Sequence, residues 1–105
     1  MNNDFVFKFV LNDRGTPAGK LADAELHFTS GPLDGLKLIG FAVWERRDGG
    51  RTVVFPARQY QVNGERRSFA LLRPASFGDG SDPSNGLRDL ILDAFAAYER
   101  ELAAV

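Results

Sequence analysis

Apolar residues recur at every second position from Phe5 to Leu11, with Phe5, Phe7, Phe9 and Leu11 on one side, which predicts a β-strand. Two glycines and Pro17 make residues 12–19 a loop, and a shorter mixed strand is expected from Asp23 to Thr29. Ser30 to Gly35 is a second loop. The middle of the chain reads more sharply. Lys37 to Arg46 is a strand, Arg47-Asp48-Gly49-Gly50 a turn, and Arg51 to Arg58 a strand. Gln59 to Val62 and Glu65 to Arg73 flank Asn63-Gly64, a dipeptide whose twist suits a two-residue hairpin. Pro74 ends the last strand, leaving a three-stranded antiparallel meander. From Pro83 or Ser84 to Ala103 the period changes. Leu87, Leu90, Ile91, Ala94, Phe95, Tyr98 and Leu102 fall three and four residues apart, forming one stripe of an amphipathic helix. Asp82 ahead of Pro83 is a plausible N-cap.

Two-residue loops would set paired residue numbers to sum to about 97 in the first hairpin and about 127 in the second. One face of the meander would then carry Ala42, Trp44, Val53, Phe55, Ala57, Ala70 and Leu72. The other would carry Ile39, Phe41, Val43, Val54, Pro56, Phe69 and Leu71. Both are apolar, whereas a sheet with one wet face alternates with polar residues. The helix can cover one face. The other needs the N-terminal strands or a second subunit, and Ile39, Phe41 and Val43, or their opposite-face counterparts, are the expected dimer contacts. Pro56 cannot donate a ladder hydrogen bond, so it marks an edge, a strand end or a bulge. The expected fold is α+β: a four- or five-stranded antiparallel sheet with the C-terminal helix packed on it, in a single domain over residues 1–105.

Composition narrows the chemistry. With 105 residues, 44% hydrophobic and 26% charged, the chain has ordinary globular usage. It contains no cysteine and one histidine, which excludes disulfides, thiol catalysis, cysteine-ligated zinc and a three-histidine metal site within one chain. No apolar run is long enough to span a membrane as a helix, and Met1-Asn2-Asn3-Asp4 does not open a signal peptide, so a cytoplasmic location is expected. The net charge of −1 conceals an asymmetry. Residues 45–73 hold Arg46, Arg47, Arg51, Arg58, Arg66, Arg67 and Arg73 against Glu45, Asp48 and Glu65, a net of +4.

That basic segment is the best functional candidate. Arginine forms bidentate bonds to phosphate and to guanine edges. Trp44, Tyr60 and Phe69 lie among the arginines and can stack on bases where exposed. Apolar neighbours assign Trp44 and Phe69 to the core. Tyr60, near the hairpin tip between Gln59 and Gln61, is the stacking candidate. The alternative is a solvated hairpin whose arginines pair with the acidic helix, through Asp89, Asp93 or Glu99. Asp23, Glu25 and His27 share one face of their strand, as a general-base pair would, but no nucleophile motif accompanies them. Gly78-Asp79-Gly80-Ser81-Asp82 lacks the lysine of a phosphate loop and the closing glutamate of a calcium loop, and reads as a plain loop. No catalytic residue, metal, cofactor or small-molecule substrate is indicated.

Gly40-Phe41-Ala42-Val43-Trp44-Glu45, the glycine turn, and Val53-Val54-Phe55-Pro56-Ala57-Arg58 resemble the stage V sporulation protein G family. There an aliphatic–aromatic strand also runs into a proline followed by small and basic residues. Asn63-Gly64-Glu65-Arg66-Arg67-Ser68-Phe69-Ala70 occupies the place of its second hairpin, and Leu87 to Phe95 resembles the start of its helix. The resemblance spans roughly residues 36–100. It implies a small bacterial regulator that dimerises through its sheet and binds DNA or RNA. The basic position after the proline maps to Arg58, and the charged hairpin to Arg66 and Arg67. Three features depart from the family: Phe55 where methionine is usual, a longer glycine-rich loop before Leu87, and no acidic tail. The expected function is therefore nucleic-acid binding by a homodimer through Arg51, Arg58, Tyr60, Arg66 and Arg67. The alternative is a protein-interaction or structural module without nucleic acid.

Overall fold

The computed structural model describes residues 4–75 and 82–104, so Gly78 to Ser81 and the first three residues lie outside the described part. The protein is α+β. Strands β1 (Phe5–Leu11), β2 (Lys20–Phe28), β3 (Lys37–Glu45) and β4 (Arg51–Val54) form one antiparallel sheet in the order β1-β2-β3-β4. Strands β5 (Ala57–Val62) and β6 (Glu65–Ala70) form a separate two-stranded ribbon, and helix α1 (Ser84–Ala103) closes the domain.

Helix α1 covers one face of the four-stranded sheet. Ala22, Ala24 and Leu26 of β2, Phe41 and Val43 of β3, Val53 of β4, and Ile91 and Phe95 of α1 form the buried core. Phe5, Phe7 and Phe9 flank it, as the alternation in β1 requires. Phe9 meets the Phe95 ring edge-on at 5.2 Å and Tyr98 at 5.5 Å. Ile91 and Phe95 are the fully buried part of the helical stripe, while Leu90 and Leu102 at its margins stay half exposed at 48% and 46%. At the helix start, Asp82 acts from just outside the first turn. Its Oδ1 accepts from the Ser84 amide at 2.9 Å and from the Ser84 hydroxyl at 2.7 Å. These bonds hold the Asp82 carboxyl below its usual range.

The expected meander divides at Pro56. Strand β4 stops at Val54, and β5 starts beyond the proline and pairs only with β6. The first hairpin also differs by one residue. Ala42 pairs with Val54, Val43 with Val53 and Trp44 with Thr52, so the loop has three residues, Arg47 to Gly49. Gly49, at φ 88°, takes the left-handed position that such a loop places last. The Arg46 amide donates to Gly50 O at 2.7 Å to close it. The shift moves Val53 to the face of Val43, and both enter the core. A second irregularity precedes it. Ala24 pairs with Phe41 but Leu26 with Leu38, so β3 bulges at Ile39-Gly40, where Gly40 has φ 110°. Ile39 is thereby turned out to 59% exposure, while Phe41 and Val43 are 1% and 0% exposed inside the subunit. Of the three expected dimer contacts, only Ile39 is at the surface.

Candidate nucleic-acid interface

The second hairpin keeps its expected register. Ala57 pairs with Ala70, Arg58 with Phe69, Tyr60 with Arg67 and Val62 with Glu65. Asn63 and Gly64 have φ 52° and 82°, as a primed two-residue turn demands. Alternation then sorts the ribbon into two faces. Arg58, Tyr60, Val62, Glu65, Arg67 and Phe69 share one. Gln59, Gln61, Arg66 and Ser68 share the other, where Gln59 Nε2 donates to Ser68 Oγ at 3.4 Å. A shallow cleft of about 350 Å³ runs along Gln59, Tyr60, Gln61 and Arg66.

Every residue of β5 and β6 is exposed. The ribbon stands off the body, and the chain has a radius of gyration of 15.6 Å, where about 13 Å is usual for this length. Its joint to the body is firm. Phe55 sets its ring against Phe41 at 5.5 Å, edge to face, and Arg88 of α1 lies over the same ring at 5.5 Å. Pro56 is buried against Gly40, and the Leu71 amide donates to Pro56 O at 3.0 Å across the base of the ribbon.

The five expected contact residues separate into three places. Arg58, Tyr60 and Arg67 come together on one ribbon face, and Arg66 projects from the reverse face. Arg51 is elsewhere. Its Nη1 and Nη2 donate to the two carboxylate oxygens of Glu99 at 2.5 and 2.9 Å, and its guanidinium lies 5.2 Å from the centre of the Phe95 ring. The Glu99 bonds raise its pKa above the ordinary arginine value. Arg51 thus ties β4 to α1 and is withdrawn from the ribbon surface. Among the described residues, Arg58 and Arg66 make no ion pair. Arg67 makes only a long one, 3.3 Å to Glu65 with both groups more than half exposed. Among the described residues, the helix pairs with Arg51 and with none of Arg58, Arg66 and Arg67.

Two ribbon-associated groups had no place in the sequence-based site. Phe69, expected in the core, is 48% exposed. Arg73 lies over its ring at 4.7 Å. The signal for Phe69 was the pairing of the second hairpin together with the break at Pro56, which removes the ribbon from the sheet.

The strand cluster around His27 brings together only two of its three expected members. His27 Nε2 lies 2.9 Å from Glu25 Oε1, and Lys37 Nζ donates to the same oxygen at 3.2 Å. Asp23 pairs instead with Lys20 at 2.8 Å. The bonds from His27 and then Lys37 lower the Glu25 pKa. Among the described residues no group of three acidic or histidine side chains is placed to hold a metal, and no helix is long and apolar enough to cross a membrane. No family model, curated protein or solved structure matches the chain.

Proposed function

We propose that this chain is a non-enzymatic bacterial regulator of the cytoplasm that binds nucleic acid through the arginines of the β5–β6 ribbon. The observation that carries this reading is the uncompensated charge of the ribbon and its base. From Ala57 to Pro74, Arg58, Arg66, Arg67 and Arg73 oppose Glu65 alone, on strands that are exposed along their whole length. Such a surface attracts phosphates, and each phosphate contact releases counterions. The resemblance to the stage V sporulation protein G family points to the same Arg58, Arg66 and Arg67. Fluorescence anisotropy with labelled DNA and RNA at two salt concentrations tests it. Arg58→Ala, and the pair Arg66→Ala with Arg67→Ala, weaken binding on every sequence and leave the fold intact. Absence of binding at low salt, or binding indifferent to salt, overturns the reading.

A second reading is favoured by a separate observation. Ile39, Val54 and Leu71 are 59%, 50% and 59% exposed. These side chains support assembly, either the expected homodimer or docking of another protein. A stable interface buries on the order of 1,200–2,000 Å² in total. Sedimentation velocity at tens of micromolar decides whether the chain pairs with itself.

A further inference from the structure

We propose that the ribbon face bearing Tyr60 and Phe69 is a stacking platform for single-stranded nucleic acid, with Arg73 as an additional cation of that site. The inference rests on the nucleic-acid reading above and names the class of nucleic acid. Tyr60 faces Arg67 and Phe69 faces Arg58, so the two rings are diagonal neighbours on one side of the ribbon. Diagonal positions in an antiparallel pair lie roughly 7–8 Å apart, within reach of two adjacent bases on one strand. The rings are 41% and 48% exposed. Among the described residues neither ring pairs with another aromatic side chain, and the one cation over either of them is Arg73 over Phe69. The Arg73 guanidinium, 4.7 Å from the Phe69 centre, adds a planar cation to the aromatic pair.

Charge alone does not decide the substrate class here. Arg58, Arg67 and Arg73 belong to this face against Glu65, so about three phosphates can be met. On a single strand that gives a log–log salt slope of only about −2. Stacking adds roughly 5- to 150-fold in affinity per base. A duplex hides its base faces in its own stack and presents edges, so it would meet the arginines but leave both rings against sugar and phosphate. A splayed single strand meets both. The reverse face, with Gln59, Gln61, Arg66 and Ser68, has the amide and guanidinium groups that suit base edges. A duplex reader would use that face, which makes the two modes separable.

The test is anisotropy of the full chain with a labelled twelve-nucleotide oligothymidine, its oligouridine counterpart and a mixed twelve-base-pair duplex at low salt. The single strands are expected to bind at least ten-fold more tightly than the duplex. Phe69→Leu and Tyr60→Leu are each expected to lose at least five-fold on single strands and less than two-fold on the duplex, whereas Tyr60→Phe retains binding. Trp44 fluorescence and circular dichroism check that these surface variants are folded. Tighter binding of duplex, lost on Gln59→Ala or Gln61→Ala but not on Phe69→Leu, overturns the platform and leaves the nucleic-acid reading standing. Binding that needs Arg58 but neither ring does the same. No binding of any probe at low salt overturns both.

Discussion

Pro56 packs directly onto the backbone of Gly40: a Cβ at position 40 would lie 3.1 Å from Pro56 Cβ and 3.3 Å from its Cα. The two residues are where β3 bulges and where the chain leaves the sheet for the ribbon. Gly40 meets two requirements at once, a φ of 110° and room for the proline ring. Gly40→Ala is therefore expected to destabilise the domain by at least about 1–3 kcal/mol, the usual cost of a side chain in so sparsely populated a backbone region. Chemical denaturation of wild type and variant measures it. A loss under about 0.5 kcal/mol would mean that the proline does not rest on the bulge.

The core makes a larger demand. Phe95 is 1% exposed and touches Phe9, Tyr98 and the Arg51 guanidinium. Phe95→Ala is expected to cost about 3–5 kcal/mol through lost transfer energy and the cavity left behind. A denaturant midpoint shifted by less than about 1 kcal/mol in stability would show that α1 does not anchor on the sheet there.

Arg51 separates structural from functional arginines. Its bidentate pair with Glu99 is half exposed, with side-chain accessibilities of 34% and 41%, so solvent screens it. Together with the contact to Phe95, Arg51→Ala is expected to lower stability by about 1 kcal/mol. The same variant should change oligonucleotide affinity by less than two-fold. A large loss of affinity with stability unchanged would return Arg51 to the binding surface.

Acid should reach the four-stranded sheet through Glu25. His27 and Lys37 hydrogen-bond its carboxylate and lower its pKa in the folded state. A depressed carboxylate stabilises the fold above its unfolded value, and that contribution is lost as pH falls through the folded value. The window thus opens below about pH 4.3. Lys37→Ala and His27→Ala are expected to flatten the stability profile there and to leave it unchanged at neutral pH relative to each variant's own baseline. Thermal melts between pH 3 and 6 report this, and an unchanged acid slope in both variants would refute the coupling.

What the sequence makes legible is what short-range rules decide. The alternation in β1, the three-and-four spacing from Leu87 to Phe95 and the Asn63-Gly64 turn each act within a few residues, and each is found as expected. The faces of β3 and β4 are not legible in this way, because one extra loop residue at Gly49 and one bulge at Gly40 each reverse the phase of everything beyond them. The bulge turns Ile39 away from Phe41 and Val43, and because both faces of the meander read as apolar, no local rule says that α1 covers the Phe41 and Val43 face. Arg51 is illegible for another reason. Its partner Glu99 is 48 residues away in sequence, and nothing near Arg51 distinguishes it from Arg58. Phe69 looked like core because its neighbours Ala70, Leu71 and Leu72 are apolar, a pattern that the break at Pro56 turns outward.

The detached ribbon divides the molecule's cooperativity. A two-stranded hairpin whose side chains all face water draws little from the core, and alone such a unit is marginal. The body can thus stay folded while residues 57–70 open and close, so native-state hydrogen exchange reports two opening free energies rather than one. The amides of β2 and β3 exchange only with global unfolding, and those of β5 and β6 exchange early. A ligand that grips the ribbon pays its ordering cost and slows that early class alone, giving the interface a readout that needs no label on the partner.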